Sequence, residues 1–367
     1  MFANLLDKAN TSYTTSKPFV LYRKPKEKWV TGIFQFDDEL HFVKDFSETG
    51  FVFAPFNDQH KIILIQKDEQ FTAEYSVKKK SPQKVTLETL PSEKTFHTNL
   101  IKKGIKEIAS GTFKKVVLSR KLNTTIEKSI FEIYETILDR YANAFCYLWY
   151  HPKIGLWLGA TPESLLKTEN KRILTMSLAG TCQYTGVEKP EWGAKELEEQ
   201  ELVTTFIVNA LKDKVSSLKV AETTATKAGN LWHLKTIISG ILKTSNVKEV
   251  IHQLHPTPAV CGLPKAITKT FILAHENYNR TYYTGYLGEL NFKVAQQRSG
   301  NKKNQENQAY KSITNVTTLF VNLRCMQIKE GTAEIYIGGG ITQDSDPEKE
   351  WLETVAKSET MLSVILE

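Results

Sequence analysis

The C-terminal part of the chain reads Ile335-Tyr336-Ile337-Gly338-Gly339-Gly340 and, six residues later, Asp346-Pro347-Glu348-Lys349-Glu350. The β-branched and aromatic residues before the glycines favour a strand. Ser345, with Glu348 three residues later and Pro347 between them, is typical of a helix start. Three successive glycines let the backbone approach a ligand closely and offer its amide groups. We therefore expect a strand, a ligand-binding turn and a helix in this order.

The predicted C-terminal helix carries an acidic side. Glu350, Glu353 and Lys357 fall one turn apart from each other, roughly opposite an apolar side formed by Trp351, Leu352, Val355 and Leu362. Two carboxylates one turn apart repel each other, so a solvated face is the simpler interpretation. The alternative is a divalent cation such as magnesium, which binds a few carboxylates and keeps some water ligands.

Composition excludes several classes of protein. The 367 residues, 41% of them hydrophobic, suffice for a large core. The chain start lacks the apolar stretch of a signal peptide, and no apolar run approaches the ~18 residues of a membrane span, so we expect a cytoplasmic protein without a membrane partner. Four scattered cysteines suggest neither a disulfide framework nor a zinc site. The net charge of +7 is spread along the chain without a nucleic-acid-binding motif, which favours a solvated surface.

Short β-prone runs fill residues 1–90, which we expect to form a β-rich part of the same compact unit as residues 91–367. After Pro91 the pattern predicts a helix that ends at Gly111. Residues 113–120 then predict a strand, which turns either Lys114 or Lys115 inward. A buried lysine loses its proton more readily and can serve as a general base. Two lysines at a frayed strand start are the alternative.

Further candidate residues lie on helices and loops. Thr161 and Pro162 predict the start of a short helix, with Glu163 beside its N-terminus. Residues 195–211 predict a long acidic helix, for which a solvated surface is the default interpretation. Residues 255–264 predict a proline-rich loop, and residues 280–289 a hairpin-like pair with a strand over 315–327. The Gln-, Asn- and Lys-rich span 294–312 between them predicts a mobile surface loop.

The order of these motifs resembles the chorismate-utilising enzyme family. The resemblance covers about 270 residues after Pro91 and rests on residues 115–120, 159–165, 178–181, 198–199, 255–259, 280–288, 321–325 and the glycine-rich C-terminal stretch. It implies an α+β fold, in which large antiparallel sheets packed with flanking helices surround one deep site, and it makes residues 91–367 the chorismate-binding catalytic domain. Chorismate carries two negative charges, so its binding would also account for the excess of basic residues in the chain.

The family pattern assigns roles to residues of this chain. It implies a magnesium ion held by Glu199, Glu350 and Glu353, with Glu196 and Glu198 as rival ligands because Gln200 replaces the histidine that many relatives carry. Cys261 and Glu289 also depart from the pattern. It implies catalytic roles for Lys115 and Glu163, and substrate binding by Ala179, Gly180, Thr181, His255, Tyr283, Arg324, Gly338, Gly339, Gly340 and Lys357.

Two positions favour the members of the family that use water. Lys115 stands where anthranilate-forming members usually carry glutamine, and Ala179 where aminodeoxychorismate-forming members commonly carry lysine. The resemblance therefore implies isochorismate synthesis: Lys115 takes a proton from the water that attacks C2, while Glu163 protonates the C4 hydroxyl that leaves. A glutamate at a helix N-terminus would resist protonation, so these two expectations about Glu163 conflict.

Several alternatives remain open. A salicylate synthase would carry the same lysine and alanine and would go on to eliminate pyruvate. An aminating member would need a glutaminase subunit, which Lys115 argues against, and a non-catalytic module that binds chorismate or nucleic acid would not need the acidic residues. We expect a monomer without a nucleic-acid partner. The sequence does not distinguish menaquinone from siderophore biosynthesis.

Overall fold

The computed structural model describes residues 1–78, 90–183, 190–228, 231–244, 246–297 and 311–366. Within this part, the seven helices are α1 (Phe2–Thr14), α2 (Pro91–Ala109), α3 (Ile130–Arg140), α4 (Ala194–Leu211), α5 (Lys248–Leu254), α6 (Lys265–His275) and α7 (Pro347–Leu366). The helix predicted after Pro91 is confirmed as α2. The helix over 195–211 is confirmed as α4, and the C-terminal helix as α7.

The strands form two large antiparallel sheets. In spatial order the first sheet contains β15 (Gly262–Leu263), β7 (Lys115–Thr125), β19 (Thr332–Ile341), β18 (Cys325–Lys329), β9 (Gly155–Thr161), β8 (Phe145–His151), β1 (Phe19–Arg23), β2 (Trp29–Phe34) and β6 (Glu69–Glu74). The second contains β12 (Val215–Val220), β14 (Leu231–Leu242), β11 (Arg172–Gln183), β10 (Ser164–Glu169), β17 (Lys311–Val321), β16 (Tyr286–Gln297), β4 (Gly50–Ala54), β5 (Ile63–Gln66) and β3 (His41–Phe42), and β13 (Thr224–Ala228) also pairs with β14. The predicted α+β fold class is confirmed.

The two sheets share an aromatic core, and helices cover their other faces. Buried side chains of both sheets meet between them, for example in the stack of Phe145 on Phe320, whose ring centroids lie 4.2 Å apart. Helices α1, α3 and α7 pack on the first sheet, while α4 and α5 pack on the second. Aromatic rings dominate the layer between the sheets because each buries a large apolar area.

The first ninety residues contribute to both sheets. Strand β1 pairs with β8 in the first sheet, and β4 pairs with β16 in the second. The buried Glu289 accepts a hydrogen bond of 2.5 Å from the Tyr22 hydroxyl and pairs with Lys24 at 2.7 Å. These contacts join β16 to β1, which explains why a buried carboxylate is tolerated at this position. The division at residue 90 stays an interpretation of the sequence. Helix α1 was not predicted.

Two predicted elements are wrong. Residues after Thr161 do not start a helix, because Ser164 opens strand β10, and Glu163 lies in the short connection between β9 and β10. The strand expected over 315–327 is interrupted: β17 ends at Val321 in the second sheet, and β18 begins at Cys325 in the first. Arg324, with a φ of 48°, lies in the connection where the chain passes between the sheets. The ends of the predicted loop over 294–312 are strands instead, since 294–297 belong to β16 and 311–312 to β17, while residues 298–310 lie outside the described residues.

Helix α7 begins differently from the prediction. Asp346, not Ser345, is its cap, because the Lys349 amide donates to Asp346 Oδ1 at 2.9 Å, while Ser345 Oγ accepts from the Thr342 amide. Trp351 and Leu362 are buried as expected, whereas Leu352 is 62% exposed. Glu350 is only 2% exposed, which contradicts the solvated acidic face.

No helix in the described part of the chain is long and apolar enough to cross a membrane.

Candidate active site

A cavity of about 90 Å³ brings together most of the predicted site residues. Those that line it are Glu163, Ala179, Gly180, Thr181, Glu199, Tyr283, Arg324, Gly338, Gly339, Gly340, Glu353 and Lys357. They come from both sheets, from α4 and α7, and from the connections between strands. Residues distant in sequence therefore converge, as the family resemblance implies.

His255 is not part of this cavity, which corrects the prediction. Its Nε2 lies 3.1 Å from the Pro55 carbonyl, its ring packs edge-on against Tyr286, and it lines a separate cavity. Burial lowers the pKa of His255 to about 4, so it stays neutral. Only the end of its loop, Ala259 and Val260, reaches the predicted site.

The glycines of β19 leave room for functional side chains. A Cβ atom added at Gly340 would lie 2.5 Å from Glu199 Oε1, and one added at Gly338 would lie 2.8 Å from the Tyr283 hydroxyl. A Cβ atom at Gly339 would lie 3.6 Å from Glu350 Oε2 and 3.7 Å from Glu353 Oε1. The three predicted metal ligands therefore surround Gly339 and Gly340. A side chain at Gly340 would displace Glu199 and one at Gly338 the Tyr283 hydroxyl, whereas a Cβ atom at Gly339 would make ordinary contacts.

Each of these carboxylates pairs with a lysine. Lys115 donates to Glu199 at 2.8 Å, Lys357 to Glu353 at 2.5 Å, and Lys195 to Glu350. Burial alone would raise the pKa of Glu199. The positive charges of Lys115, Lys357 and Lys195 have the larger effect and lower this pKa. Burial and the neighbouring Glu353 raise the pKa of Glu350, despite Lys195.

In the described part of the chain, no three acidic, histidine or cysteine side chains are close enough together to hold a metal ion as they stand. Two observations nevertheless fit an oxygen-bound cation at Gly339. Glu350 Oε2 is buried without a hydrogen-bond partner among the described residues, and Glu350 and Glu353 repel each other. Magnesium commonly binds one or two carboxylates and completes its shell with water and substrate oxygens.

Lys115 lies behind Glu199. The strand alternation of β7 turns it inward, its side chain is 0% exposed, and its ammonium contacts the Glu199 carboxylate. This outcome excludes the frayed strand start. Lys115 and Glu350 do not line the cavity themselves, and neither do the rival ligands Glu196 and Glu198, but Glu350 reaches Gly339 in its wall.

Glu163 is an acid without an ion pair. It is buried, and no ammonium or guanidinium group of the described residues lies within 4 Å of its carboxyl. Burial raises the pKa of Glu163 to about 8, although Lys115 opposes the shift. The absence of a helix after Thr161 removes the conflict with a helix dipole. Glu163 can therefore hold a proton near neutral pH and donate it into the cavity.

His233 lines the cavity and was missed by the sequence analysis. It lies on β14, with Nδ1 3.2 Å from the Gly180 carbonyl and 3.3 Å from the Thr181 hydroxyl. Its Nε2 is buried without a partner among the described residues. Burial, reinforced by Arg324 and Lys357, lowers the pKa of His233 to about 3, so the imidazole is neutral. A single histidine in a β-prone run carries no sequence signal that it lines a cavity.

Gln200 explains one departure from the family pattern. Its carbonyl oxygen accepts from the Ala179 amide at 2.9 Å, and its amide donates to Ser177 and Thr236. These bonds attach α4, which carries Glu199, to the β11 wall of the cavity. An amide suits this place because it accepts and donates at once.

Arg280 attaches several walls of the cavity to each other. It is fully buried, pairs with Glu276 at 2.6 Å, and donates to the carbonyls of Val117 at 2.7 Å and Val260 at 3.0 Å. Both carbonyls belong to residues that line the cavity. Arg324 is bonded to Thr360 at 3.0 Å and retains donors for a carboxylate.

Comparisons with known proteins agree with this arrangement. A family model described as chorismate binding enzyme matches residues 51–297, and a second model with the same description matches residues 309–363. Isochorismate synthase MenF of Escherichia coli K12 is 30% identical over 71% of this chain and 58% of its own length. Isochorismate synthase DhbC of Bacillus subtilis 168 is 29% identical over 72% of this chain and 66% of its own length.

The chain thus matches less than two thirds of the length of these two relatives. Among solved structures, a putative 2,3-dihydroxybenzoate-specific isochorismate synthase, DhbC of Bacillus anthracis, has a TM-score of 0.77 at 23% identity and covers 98% of each chain. MenF of Escherichia coli has a TM-score of 0.75 at 20% identity over 95% of this chain and 88% of its own. Both show the same fold. With a family model matched over most of its length, the chain belongs to the chorismate binding enzyme family.

Proposed function

We propose that this protein is an isochorismate synthase, an isomerase that converts chorismate to isochorismate with magnesium. The observation that carries the proposal is Glu163, an acid whose pKa is raised to about 8 in a cavity that Glu199 also lines, with Lys115 paired to Glu199 from behind. Exchange of a hydroxyl at C4 for one at C2 needs one proton donor and one proton acceptor, and no oxidation. An acid kept protonated beside an amine meets this need.

The substrate's two carboxylates have binding partners. Arg324 offers a guanidinium, and Lys357, which also donates to the Gly338 carbonyl at 3.0 Å, offers an ammonium. Admission of the substrate requires the cavity of about 90 Å³ to widen. The Lys357–Glu353 pair borders the cavity, and its opening would supply both space and charge.

Lys115 is proposed as the base. It takes a proton from the water that attacks C2, so the reaction requires a neutral amine in the turnover complex. Its partner Glu199 must then turn away from it. At C4 the bond to the hydroxyl breaks as Glu163 donates its proton, the ring double bond moves, and water leaves. Return of the proton from Lys115 to Glu163 completes an isomerisation in which atoms and charge balance.

Magnesium is proposed as the cofactor, held by Glu199, Glu350 and Glu353. A bound ion would supply positive charge that neutralises these carboxylates and a carboxylate of the substrate. The three side chains surround Gly339 and Gly340, and Glu350 Oε2, which has no partner among the residues the structure describes, offers an oxygen. The lysine pairs would hold the acids in place until the ion binds.

Product identification tests the proposal. The protein is incubated with chorismate, with and without magnesium, and products are identified by mass and NMR. Isochorismate formed only with magnesium is the expected result. Salicylate, detected by its fluorescence, would instead identify a salicylate synthase, and an aminated product formed with ammonia would identify an aminating member. Unchanged chorismate under all conditions would reject the enzyme. Monomeric state, absence of a glutaminase subunit and a cytoplasmic location stay predictions.

A further inference from the structure

A second cavity lies between the N-terminal strands and α5. One part of its lining is apolar and consists of Val43, Phe46, Ala54, Pro55, Ile62, Ile251 and Tyr286. Another part is basic and consists of Lys44, His60, Lys61, Lys248 and His252. His255, excluded above from the first cavity, also contributes to its wall. An apolar lining with a basic part is a feature that the proposed reaction does not use.

The lysines of this cavity lack an ion-pair partner among the described residues, and Asp45 acts on Lys248 only from beyond ion-pair distance. In the described part of the chain, no carboxylate lies within 4 Å of the ammonium groups of Lys44, Lys61 and Lys248. The ammonium group of Lys61 lies over the Phe42 ring, 4.9 Å from the ring centroid. The one acidic residue of the lining, Asp58, is engaged by Lys269. The cavity therefore carries a positive charge that suits an anion.

Size narrows the choice of anion. The volume of about 140 Å³ is close to the ~150 Å³ of an engineered apolar cavity that binds benzene. We propose that this cavity is a second binding site, which takes a small ring-shaped carboxylate: the ring packs on the apolar part, and the carboxylate faces Lys44, Lys61 and Lys248.

Two structural links join this site to the first cavity. The loop that starts at His255 ends at Ala259 and Val260, which line the first cavity. Ile251 of α5 packs in one core with Val203 of α4, the helix that carries Glu199. Occupancy of the second site is therefore expected to change the turnover of chorismate.

Binding of benzoate at constant ionic strength tests the proposal by calorimetry, without reference to the reaction. We expect the double substitution Lys44→Gln/Lys248→Gln to weaken benzoate binding about tenfold or more, because two charge-assisted contacts are lost. The matched control Lys102→Gln/Lys103→Gln removes the same charge from exposed positions of α2 and should bind as the unsubstituted protein does. Arg324→Ala, in the first cavity, should also leave this binding intact.

The second site would be overturned if Lys44→Gln/Lys248→Gln and Lys102→Gln/Lys103→Gln weakened benzoate binding equally. It would also be overturned if only Arg324→Ala abolished benzoate binding. Acetate and inorganic phosphate serve as further probes. Because they lack a ring, we expect each to bind at least about tenfold more weakly than benzoate. Equal affinity for all three would show a general anion site and contradict the ring-shaped ligand.

The link to the first cavity has its own measurement. Benzoate should change kcat/KM for chorismate in the unsubstituted protein and in Lys102→Gln/Lys103→Gln, but not in Lys44→Gln/Lys248→Gln. If benzoate binds at the second site and kcat/KM stays the same in every protein, the regulatory part of the inference is wrong.

Discussion

Acids of the same type behave differently in two parts of the candidate active-site cavity. Around Gly339 and Gly340, the glutamates pair with lysines, and these lysines hold the pKa of Glu199 low. In the connection between β9 and β10, Glu163 has no ion pair with any residue that the structure describes, and burial raises its pKa to about 8. The environment rather than the residue type thus separates the part that is proposed to bind a cation from the part that is proposed to deliver a proton.

We call Glu199, Glu350 and Glu353 with their lysine partners the paired part, and Glu163 the unpaired part. Removal of magnesium is expected to have the largest effect, and it acts on the paired part. Chelation with excess EDTA should abolish turnover of chorismate, and added magnesium should restore it, because three carboxylates need a cation when the substrate brings more negative charge. Calorimetry should also show that Glu353→Gln weakens magnesium binding about tenfold or more, whereas Glu348→Gln, on an exposed position of α7, leaves it unchanged. Full activity in EDTA would remove the metal from the proposal.

Lys115→Gln tests the buried end of the paired part. We expect a loss of roughly 10²- to 10⁴-fold in kcat, since the base is removed. We also expect the free energy of unfolding to fall by about 3 kcal/mol, because the substitution leaves Glu199 without its partner.

Lys121→Gln is the matched control for Lys115→Gln. Lys121 lies on the same strand and pairs with Glu334 in a more exposed position, so its replacement should cost about 1 kcal/mol or less and leave kcat unchanged. Kinetics and chemical denaturation of both variants provide the comparison. Near-normal kcat in Lys115→Gln would reject its role as the base.

Glu163→Gln tests the unpaired part. A loss of roughly 10²- to 10⁴-fold in kcat is expected from removal of the acid. In the unsubstituted protein, kcat should fall as the pH rises through the Glu163 pKa of about 8, and this limb should be absent from the residual activity of the variant. Glu169→Gln, at the half-buried end of β10, should match the unsubstituted protein. An identical pH profile in Glu163→Gln would assign the proton to another group.

Stability should follow the same titration. The pKa of Glu163 is raised on folding, from 4.5 to about 8, so the folded protein holds the proton more tightly. This contribution to the free energy of unfolding is complete below about pH 4.5 and is lost as the pH rises through about 8. Denaturation at several pH values should show that Glu163→Gln lacks this decline.

Lys357→Gln is expected to have the smallest effect. Lys357 is partly exposed and already pairs with Glu353, so its loss should raise KM for chorismate about tenfold, equivalent to about 1.4 kcal/mol, with a smaller change in kcat. Lys349→Gln, on an exposed position of the same helix, is the control. A loss of kcat without a change in KM would show that Lys357 acts on the chemistry instead.

The sequence predicted elements where local signals were strong. The apolar periodicity after Pro91 forms α2, and the β-branched run after Phe113 forms β7. The sequence pattern predicted the wrong element where tertiary contacts outweigh local preference. Thr161 and Pro162 resemble a helix start, but the chain from Ser164 onward pairs with β17 as a strand. The change of sheet at Arg324 has no local signal either, because both flanking segments are β-prone.

Within the candidate site, the sequence predicted the residues that belong to motifs. His233 lacked a motif, and His255 had one but faces the second cavity, because the direction of a loop side chain depends on packing rather than on order in the chain. The lysine partners of the three glutamates were also not predicted, since Lys195 and Glu350 are brought together only by the fold.

The protonation of Glu163 is most directly measured by infrared difference spectroscopy of the unsubstituted protein against Glu163→Gln. A carbonyl band of a protonated carboxylic acid should be present at neutral pH, should disappear as the pH rises through about 8, and should be absent from the variant. If the spectra instead show only an ionised carboxylate at neutral pH, Glu163 cannot be the proton donor, and the division of the cavity into a paired and an unpaired part is wrong.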